Sequence, residues 1–368
     1  MELKSALAMS DGVPMGSFLE QKDLFISGLD DVNVYRIPAL ITTQKGTLLA
    51  FCEAREGNDQ SPTDLVMKRS FDNGRTWTPM QVVDHGKKPG AVAMMNPTPV
   101  IDQSDGTIIM LYNSFPGLEV AEQYTTQYIP GVVRQLVTKS TDDGATWSEP
   151  EDVTEQVSDP TWSCLCVGPG VGIQTSSGRL VIPWFHSRKA DVTIAGAIYS
   201  DDHGKTWQCG DTVEEPGSEC QVVELVDGSL MLNIRAEDYR EISLSSDGGE
   251  TWSEKSQDKT LIEPTCQASI LRYSRQDDGF SKNRILFCNP AHESKRENMS
   301  VRLSYDEGKT WPIAKQIRAE WSAGYSCLTV LADGTIGLLY ESGTHTTDTI
   351  CFSRFSLEWL TDGEDTLS

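Results

Sequence analysis

Basic residues and long apolar runs are scarce in this 368-residue sequence. Its 31 lysines and arginines are outnumbered by 54 aspartates and glutamates, which gives a formal net charge of -23. Such a charge repels nucleic acids and anionic membrane surfaces, so neither is an expected partner. No apolar run reaches the roughly 18 residues that a membrane-spanning helix needs, and the sequence predicts no transmembrane segment. An anionic ligand would therefore need a local cluster of arginines.

Metal-binding patterns are also missing. The nine cysteines include no C-x2-C spacing of the kind that holds zinc, and the five histidines form no cluster. We therefore expect no metal site, and cysteines that are buried or partly buried free thiols. The N-terminal residues lack the apolar centre of a secretory signal. Free thiols without such a signal indicate a cytoplasmic location.

One eight-residue pattern, S-x-D-x-G-x-T-W, occurs five times. The copies begin at Ser70, Ser140, Ser200, Ser245 and Ser304. Each follows a run of alternating apolar and polar residues, which is typical of a β-strand. Because Asp binds nearby backbone amides and Gly accepts a positive φ, each copy predicts the tip of a β-hairpin. A calcium loop is the weaker interpretation, because most copies lack a Glu at its twelfth position.

The spacing of the repeats indicates the architecture. Successive copies begin 45 to 70 residues apart, which suits one four-stranded sheet per repeat. The sequence thus predicts an all-β, six-bladed β-propeller, whose sixth blade combines the chain after Trp311 with the N-terminal strand. We find no linker, and we expect residues 1–368 to form a single domain. The acidic tail, about residues 361–368, is expected to be frayed.

Further motifs accompany the hairpins in a fixed order. They are YRIPAL (35–40), FCEAR (51–55), MNPTP (95–99), TWSCLCVGPG (161–170), ECQVVEL (219–225), LNIRAE (232–237) and LLYE (338–341). With these motifs the chain resembles the sialidase superfamily nearly end to end, and most closely the animal cytosolic sialidases. The resemblance implies an enzyme that removes terminal sialic acid from sialylated glycans, with no metal or organic cofactor.

The resemblance also implies which residues bind the substrate. Sialidases hold the carboxylate of sialic acid with three arginines, here Arg36, Arg235 and Arg296. A guanidinium suits this task because it meets a carboxylate as a bidentate fork. Arg302 is an alternative for the third arginine, although it lies inside the strand before a repeat. Arg55 is expected to contact the C4 side of the sugar.

The catalytic residues follow from the same resemblance. A carboxylate nucleophile would be repelled by the carboxylate that the anomeric carbon of sialic acid bears, whereas a phenol that loses its proton as it attacks would not. Sialidases use a tyrosine. Tyr340 is the expected nucleophile and Glu219 its base. Asp59 is the expected general acid and base, with Glu56 and Asp64 as alternatives.

Three other residues complete the expected site. Glu53 should pair with one of the arginines, and Glu122 should contact the acetamido side of the sugar. Asn96 should form part of the floor of the substrate pocket. Two other functions remain open at this point. A catalytically silent, glycan-binding propeller would share the repeats, because these are scaffold. A trans-sialidase would use the same site residues.

Overall fold

The computed structural model describes residues 16–59, 61–86, 92–116, 133–159, 162, 164–189, 192–213, 216–319, 324–345 and 348–368. Regular structure in this part of the chain is almost entirely β-strand. The helices there are single turns, α1 (Thr154–Val157) and α2 (Leu357–Leu360). The chain is therefore all-β, as the sequence predicts. Within the same residues, no helix has the length and apolar character needed to cross a membrane.

The strands form five sheets. The N-terminal strand, β1 (Leu19–Ile26), belongs to the last of them. The largest sheet has eight strands in two antiparallel units. Its first unit contains β2 (Val34–Thr42), β3 (Leu48–Arg55), β4 (Thr63–Ser70) and β5 (Gln81–Asp84), and its second contains β6 (Ala93–Ile101), β7 (Ile108–Phe115), β8 (Arg134–Ser140) and β9 (Glu151–Asp152). A single parallel pair, Thr63 with Ala93, joins the two units.

Three antiparallel sheets follow along the chain. The first contains β10 (Cys164–Val167), β11 (Ile173–Gln174), β12 (Leu180–Lys189), β13 (Val192–Ser200) and β14 (Gln208–Cys209). The next contains β15 (Cys220–Glu224), β16 (Leu230–Ile234), β17 (Tyr239–Ser245) and β18 (Ser256–Ile262). The third contains β19 (Ser269–Ser274), β20 (Arg284–Pro290), β21 (Met299–Ser304) and β22 (Ile313–Arg318).

The last sheet combines both ends of the chain. It contains β23 (Ser326–Val330), β24 (Ile336–Ser342) and β25 (Thr349–Phe355), with β1 at its edge. β1 pairs with β25 from Leu19 opposite Phe355 to Ile26 opposite Thr349. The sequence predicts this combination of the N-terminal strand with the C-terminal segment.

Apolar clusters lie between neighbouring sheets and form the core. One cluster joins Leu40 and Val66 of the first unit to Leu339 and Ile350 of the last sheet. Similar clusters join each pair of consecutive units along the chain. The sheets therefore pack face against face in a propeller-like arrangement, and the first unit contacts the last sheet.

Each repeat forms the turn between the last two strands of its unit. In the second copy, Gly144 N–H donates to Ser140 Oγ at 2.9 Å and Thr146 N–H donates to Asp142 at 2.9 Å. The other four copies form the same two bonds. Gly144 has a φ of 76°, and a Cβ there would lie 2.9 Å from Leu49 in the preceding unit. The repeats thus build turns and also contact neighbouring units.

The C-terminal tail is packed, so the expectation that it is frayed is wrong. Buried Asp365 accepts hydrogen bonds from Nε and Nη2 of Arg284, both at 2.8 Å, and from Tyr305 Oη at 2.8 Å. Ser281 N–H donates to the carbonyl of Ser368 at 2.7 Å. Leaving the buried charge of Arg284 unpaired would be costly, and the acidic tail supplies its carboxylate partner.

The aspartates of the repeats are expected to contribute stability that is lost at acid pH. Hydrogen bonds from Thr146 lower the pKa of Asp142 from 3.8 to about 2. A carboxyl whose pKa is lowered by folding stabilises the fold above its unfolded-state pKa, and this contribution is lost as the pH falls through its folded-state pKa. We expect Asp142→Asn to lower the free energy of unfolding by about 1 kcal/mol at neutral pH. Urea denaturation should show this difference shrinking as the pH falls from 3.8 towards about 2, and a constant difference would contradict the account.

Candidate active site

Charged and aromatic side chains converge at one edge shared by several sheets. Tyr325 directly precedes β23, Glu219 directly precedes β15, and Arg36 lies near the start of β2. Arg235 directly follows β16, which is antiparallel to β15. Because antiparallel neighbours run in opposite directions, the start of one strand and the end of the next lie at the same edge. Residues far apart in the sequence are brought together in this way.

Tyr325 lies at the centre of the cluster. Its Oη donates a short hydrogen bond to Glu219, and Arg235 Nη1 donates to the same Oη at 3.2 Å. The guanidinium carbons of Arg36 and Arg296 lie 5.1 and 5.6 Å from the centroid of its ring. Three arginines therefore surround one phenol, an arrangement suited to a carboxylate ligand.

The hydroxyl of Tyr325 is protonated at neutral pH. Burial and then the charge of Glu219 raise the pKa of Tyr325 well above 10. One oxygen of Glu219 accepts the phenolic hydrogen bond, and the other accepts from Arg235 Nη1 at 2.6 Å. A phenol that is hydrogen-bonded to a carboxylate can lose its proton as its oxygen attacks.

Buried Glu341 holds Arg36 and Tyr325 together. It accepts from Arg36 Nε at 2.6 Å and Nη2 at 3.3 Å, and from the N–H groups of Ile37 at 3.0 Å and Tyr325 at 2.9 Å. Burial acts to lower the pKa of Arg36, but the charge and hydrogen bonds of Glu341, together with Tyr325 and Asp59, outweigh burial and raise the pKa. The guanidinium therefore stays charged. The sequence motifs did not indicate a role for Glu341.

The backbone beside Arg36 is irregular. Ile37 has a φ of 62°, a left-handed conformation that β-branched residues rarely adopt. The register of β2 against β3 shifts between Arg36 and Ala39. Asn96 has a φ of 56° at the corresponding irregularity of β6. Bulges of this kind redirect side chains next to functional sites. Here the strained conformation of Ile37 directly follows Arg36, whose side chain points into the cluster.

A second group of charges surrounds the buried side chain of Arg55. Arg55 Nε donates to Glu53 at 2.6 Å, and its Nη1 forms a close ion pair with Asp59. Burial raises the pKa of Glu53 above 4.5, although Arg55 partly offsets this. Asn96 N–H donates to Glu53 at 2.7 Å. The Asp59 side chain is 72% exposed and lies 3.7 Å from Arg36 Nη1, so it faces the arginine cluster from the solvent side.

Tyr340 lies outside this cluster, so its prediction as the nucleophile is wrong. It is buried in the core between the last two sheets, where its Oη accepts from Gln21 Nε2 at 2.9 Å. Successive residues of a strand point to opposite faces. Because Glu341 faces Arg36, its neighbour Tyr340 faces the other way.

Tyr325, like Glu341, is a site residue that the sequence motifs missed. One signal could have indicated it. It directly precedes the first strand of the C-terminal segment of the last sheet, as Glu219 directly precedes the first strand of its own sheet. Residues at the starts of these strands lie at one edge of the sheets. Whether a residue inside a strand such as β24 reaches the site depends instead on which face of the sheet its side chain points to.

Of the remaining sequence-based candidates, some lie away from the arginine cluster and one contacts it. Arg302 Nη1 donates to Asn289 Oδ1 at 3.2 Å in the sheet containing β21, away from the contacts of Tyr325. Asp64 accepts or shares a hydrogen bond with His85 Nδ1 at 3.1 Å. Glu122 lies outside the described residues. Asp59, in the loop after Arg55, contacts both Arg55 and Arg36.

A cavity of about 600 Å³ opens beside the cluster. Glu219 and Arg235 form part of its wall, together with Phe185 and Thr265. Arg235 and Glu219, which both contact Tyr325, are therefore next to open space that a small ligand could occupy.

Comparisons with known proteins show similarity over most of the chain. A family model for a BNR repeat-like domain matches residues 46–338. A sialidase of Micromonospora viridifaciens is 36% identical over 354 residues, covering 92% of this chain and 54% of that protein. Sialidase-2 of Rattus norvegicus is 31% identical over 373 residues, covering 92% of this chain and 96% of that protein. Hadza microbial sialidase Hz136 has a TM-score of 0.85 at 33% identity, covering 92% of this chain and 69% of that chain.

The fold and the repeats define a propeller-like protein of the BNR-repeat class. Within that class, the chain belongs to the sialidase superfamily. It is similar to animal sialidases as well as to bacterial ones. It spans about half the length, 54%, of the Micromonospora relative.

The pairing of Arg36 with Glu341 predicts a large contribution to stability. Arg36→Met leaves a buried carboxylate without its cation, and we expect the free energy of unfolding to fall by about 3 kcal/mol. Arg134→Met is the matched control, because Arg134 and its partner Asp152 are 63% and 42% exposed. Exposed pairs contribute at most about 1 kcal/mol. Equal losses in the two variants, measured by urea denaturation at neutral pH, would contradict this interpretation.

Proposed function

We propose that this protein is an exo-α-sialidase, which hydrolyses terminal sialic acid from glycoconjugates with retention of configuration. The observation that carries the proposal is the phenol of Tyr325, hydrogen-bonded to Glu219 and surrounded by Arg36, Arg235 and Arg296. Sialic acid bears a carboxylate on its anomeric carbon, C2. Arginines that bind this carboxylate hold C2 close to the phenolic oxygen. The sialidase relatives support the same activity.

The scaffold in this proposal is a six-bladed propeller made by one domain, residues 1–368. The two units of the eight-stranded sheet are two blades, and the other four sheets are the remaining four. Apolar clusters between consecutive units, including the first unit and the last sheet, support a closed ring.

The first chemical step forms a covalent intermediate. Tyr325 Oη attacks C2 and gives its proton to Glu219, while the bond between C2 and the glycosidic oxygen breaks. Asp59 protonates the departing oxygen. The phenol is neutral until it attacks, so it avoids the repulsion that a carboxylate nucleophile would meet at the anionic substrate. The raised pKa of Tyr325 supports a nucleophile that depends on Glu219 as its base.

The second step releases the sugar. Asp59 accepts a proton from a water molecule, which attacks C2 from the side that the leaving group vacated. The bond between C2 and Tyr325 Oη breaks, and Glu219 returns its proton to the phenol. Two inversions at C2 restore the α configuration. The exposure of Asp59 suits a residue that meets both the departing glycan and water.

The other predicted residues have supporting roles in the proposal. Arg55 contacts the C4 side of the sugar and is oriented by Glu53, and Asn96 shapes the floor. Glu122 reads the acetamido side of the sugar. The proton transfers in both steps run between the side chains, the substrate and water.

A cytoplasmic location is also part of the proposal. Cysteines that the structure describes as free thiols are Cys52, Cys209, Cys220, Cys266, Cys288, Cys327 and Cys351. Free thiols are the usual state of cysteine in a reducing compartment, where disulfides are rare.

Exchanging each of two tyrosines tests the nucleophile. Tyr325→Phe should lower kcat on a fluorogenic sialoside by about a thousandfold or more, because the attacking oxygen is lost while the arginines remain. Its affinity for an unsaturated sialic acid analogue should change by less than about threefold. Tyr340→Phe is the matched control and should keep kcat within about twofold, because it loses only a core hydrogen bond. Wild-type turnover by Tyr325→Phe would contradict the assignment.

The configuration of the first product tests the mechanism. Proton NMR during hydrolysis of an α-sialoside should show the α anomer of sialic acid before it converts to the β anomer in solution. Initial release of the β anomer would contradict retention. Absence of any release by the folded protein would favour the glycan-binding alternative. Accumulation of sialyllactose when lactose is added in excess would favour a transferase.

A further inference from the structure

A second ion pair lies behind Arg235. Arg240 and Glu263 are both fully buried, and Arg240 Nη1 lies 2.9 Å from Glu263 Oε2. Arg240 is the second residue of β17, and Glu263 directly follows β18. The arginine cluster around Tyr325 is formed without either side chain. Burying such an ion pair is costly unless both side chains form further hydrogen bonds. Here those hydrogen bonds go mainly to the backbone, and they restrain the segments that they join.

Glu263 binds the backbone of two segments next to the site. Its Oε1 accepts from the N–H of Ala236 at 2.5 Å, which is the peptide directly after Arg235. Its Oε2 accepts from the N–H of Cys266 at 3.2 Å. Its own N–H donates to the carbonyl of Asp238 at 3.0 Å. One carboxylate thus joins the turn that carries Arg235 to the segment that leads into β19.

Arg240 binds the same two segments. Its Nε donates to Asn233 Oδ1 at 2.6 Å and its Nη2 to the Asn233 carbonyl at 3.1 Å. Its Nη1 donates to the carbonyl of Cys266 at 2.8 Å. Asn233 lies two residues before Arg235, and Ala236 lies one residue after it. The backbone is therefore held on both sides of Arg235.

The network also reaches the residues beneath the phenol. Cys266, whose N–H and carbonyl both bind the pair, packs with Ile37 and Tyr325 in a small buried cluster. The pair is thus connected to Arg235 through Ala236 and to Tyr325 through Cys266. The relative position of the arginine and the phenol depends on both connections.

We propose that Glu263, together with Arg240, is a positioning residue that fixes Arg235 relative to Tyr325. The proposal rests on the function proposed above. The pair carries no net charge, so its effect on an anionic substrate is geometric and not one of attraction. Arg235 binds the carboxylate in the bound substrate and in the transition state alike. Misplacing it therefore weakens substrate binding more than it slows the chemical step.

A double-mutant cycle tests this role. Glu263→Gln keeps the volume of the side chain but removes its charge, and we expect it to raise KM for a fluorogenic sialoside about tenfold with kcat within about threefold. In an Arg235→Lys background the same substitution should change KM by less than about twofold, because the arginine through which it acts is absent. Asp365→Asn breaks another buried pair, with Arg284. This control should lower Tm to a similar extent and leave KM unchanged.

Several results would overturn the proposal. One is a lower Tm with unchanged KM in Glu263→Gln, and another is an equal rise of KM in both backgrounds. If Glu263→Gln does not fold, Arg240→Lys keeps the charge pair but loses the fork to Asn233, and KM should still rise about threefold. If neither variant folds, the pair is required for folding itself and the positioning role is rejected.

A crystal structure of Glu263→Gln separates this proposal from the proposed function. Should the wild-type protein fail to cleave sialosides, the sialidase proposal fails, but the distance from Arg235 Nη1 to Tyr325 Oη can still be measured. That distance is 3.2 Å in the wild-type chain. We expect it to exceed hydrogen-bonding distance in the variant, and an unchanged distance would overturn the positioning role.

Discussion

One buried carboxylate, Glu341, connects the first unit to the last sheet and fixes Arg36 of the arginine cluster. It lies on β24 of the last sheet and binds Arg36 and the N–H of Ile37 on β2 of the first unit. It also binds the N–H of Tyr325. A buried ion is stable only when it is paired and fully hydrogen-bonded, so the two sheets cannot separate without a large cost. The same interaction sets the position of Arg36 over the phenol.

The site resolves the conflict between an acidic protein and an anionic ligand by local pairing. The chain has a net charge of -23, which gives no long-range attraction for a negatively charged glycan. Within the site, Arg36 pairs with Glu341 and Arg235 pairs with Glu219. These carboxylates hold the guanidinium groups in fixed orientations. Recognition of an anion there depends on directed hydrogen bonds at short range, where solvent screens little.

Features encoded by local patterns could be predicted from the sequence. The five repeats carry their own turn chemistry, so the hairpins and the all-β class followed from a few residues each. The three arginines were identified by motifs, and the structure brings Arg36, Arg235 and Arg296 to one phenol. The pairing of Glu53 with an arginine was also predicted, and its partner is Arg55.

Features that depend on distant contacts could not be predicted in this way. Tyr340 and Glu341 are neighbours, yet only one faces the site, because a strand alternates its faces and the sequence does not reveal which face is inward. The pairing of Glu341 with Arg36 joins residues 305 positions apart. The packed tail likewise depends on Arg284, 81 residues from its partner Asp365. Local composition carries no information about such partners.

The most direct test of the account is a crystal structure of the protein with an unsaturated analogue of sialic acid. The account predicts that the carboxylate of the analogue is hydrogen-bonded by Arg36, Arg235 and Arg296, with Tyr325 Oη directly below C2. A carboxylate bound away from these arginines, or a C2 atom out of reach of Tyr325 Oη, would contradict it.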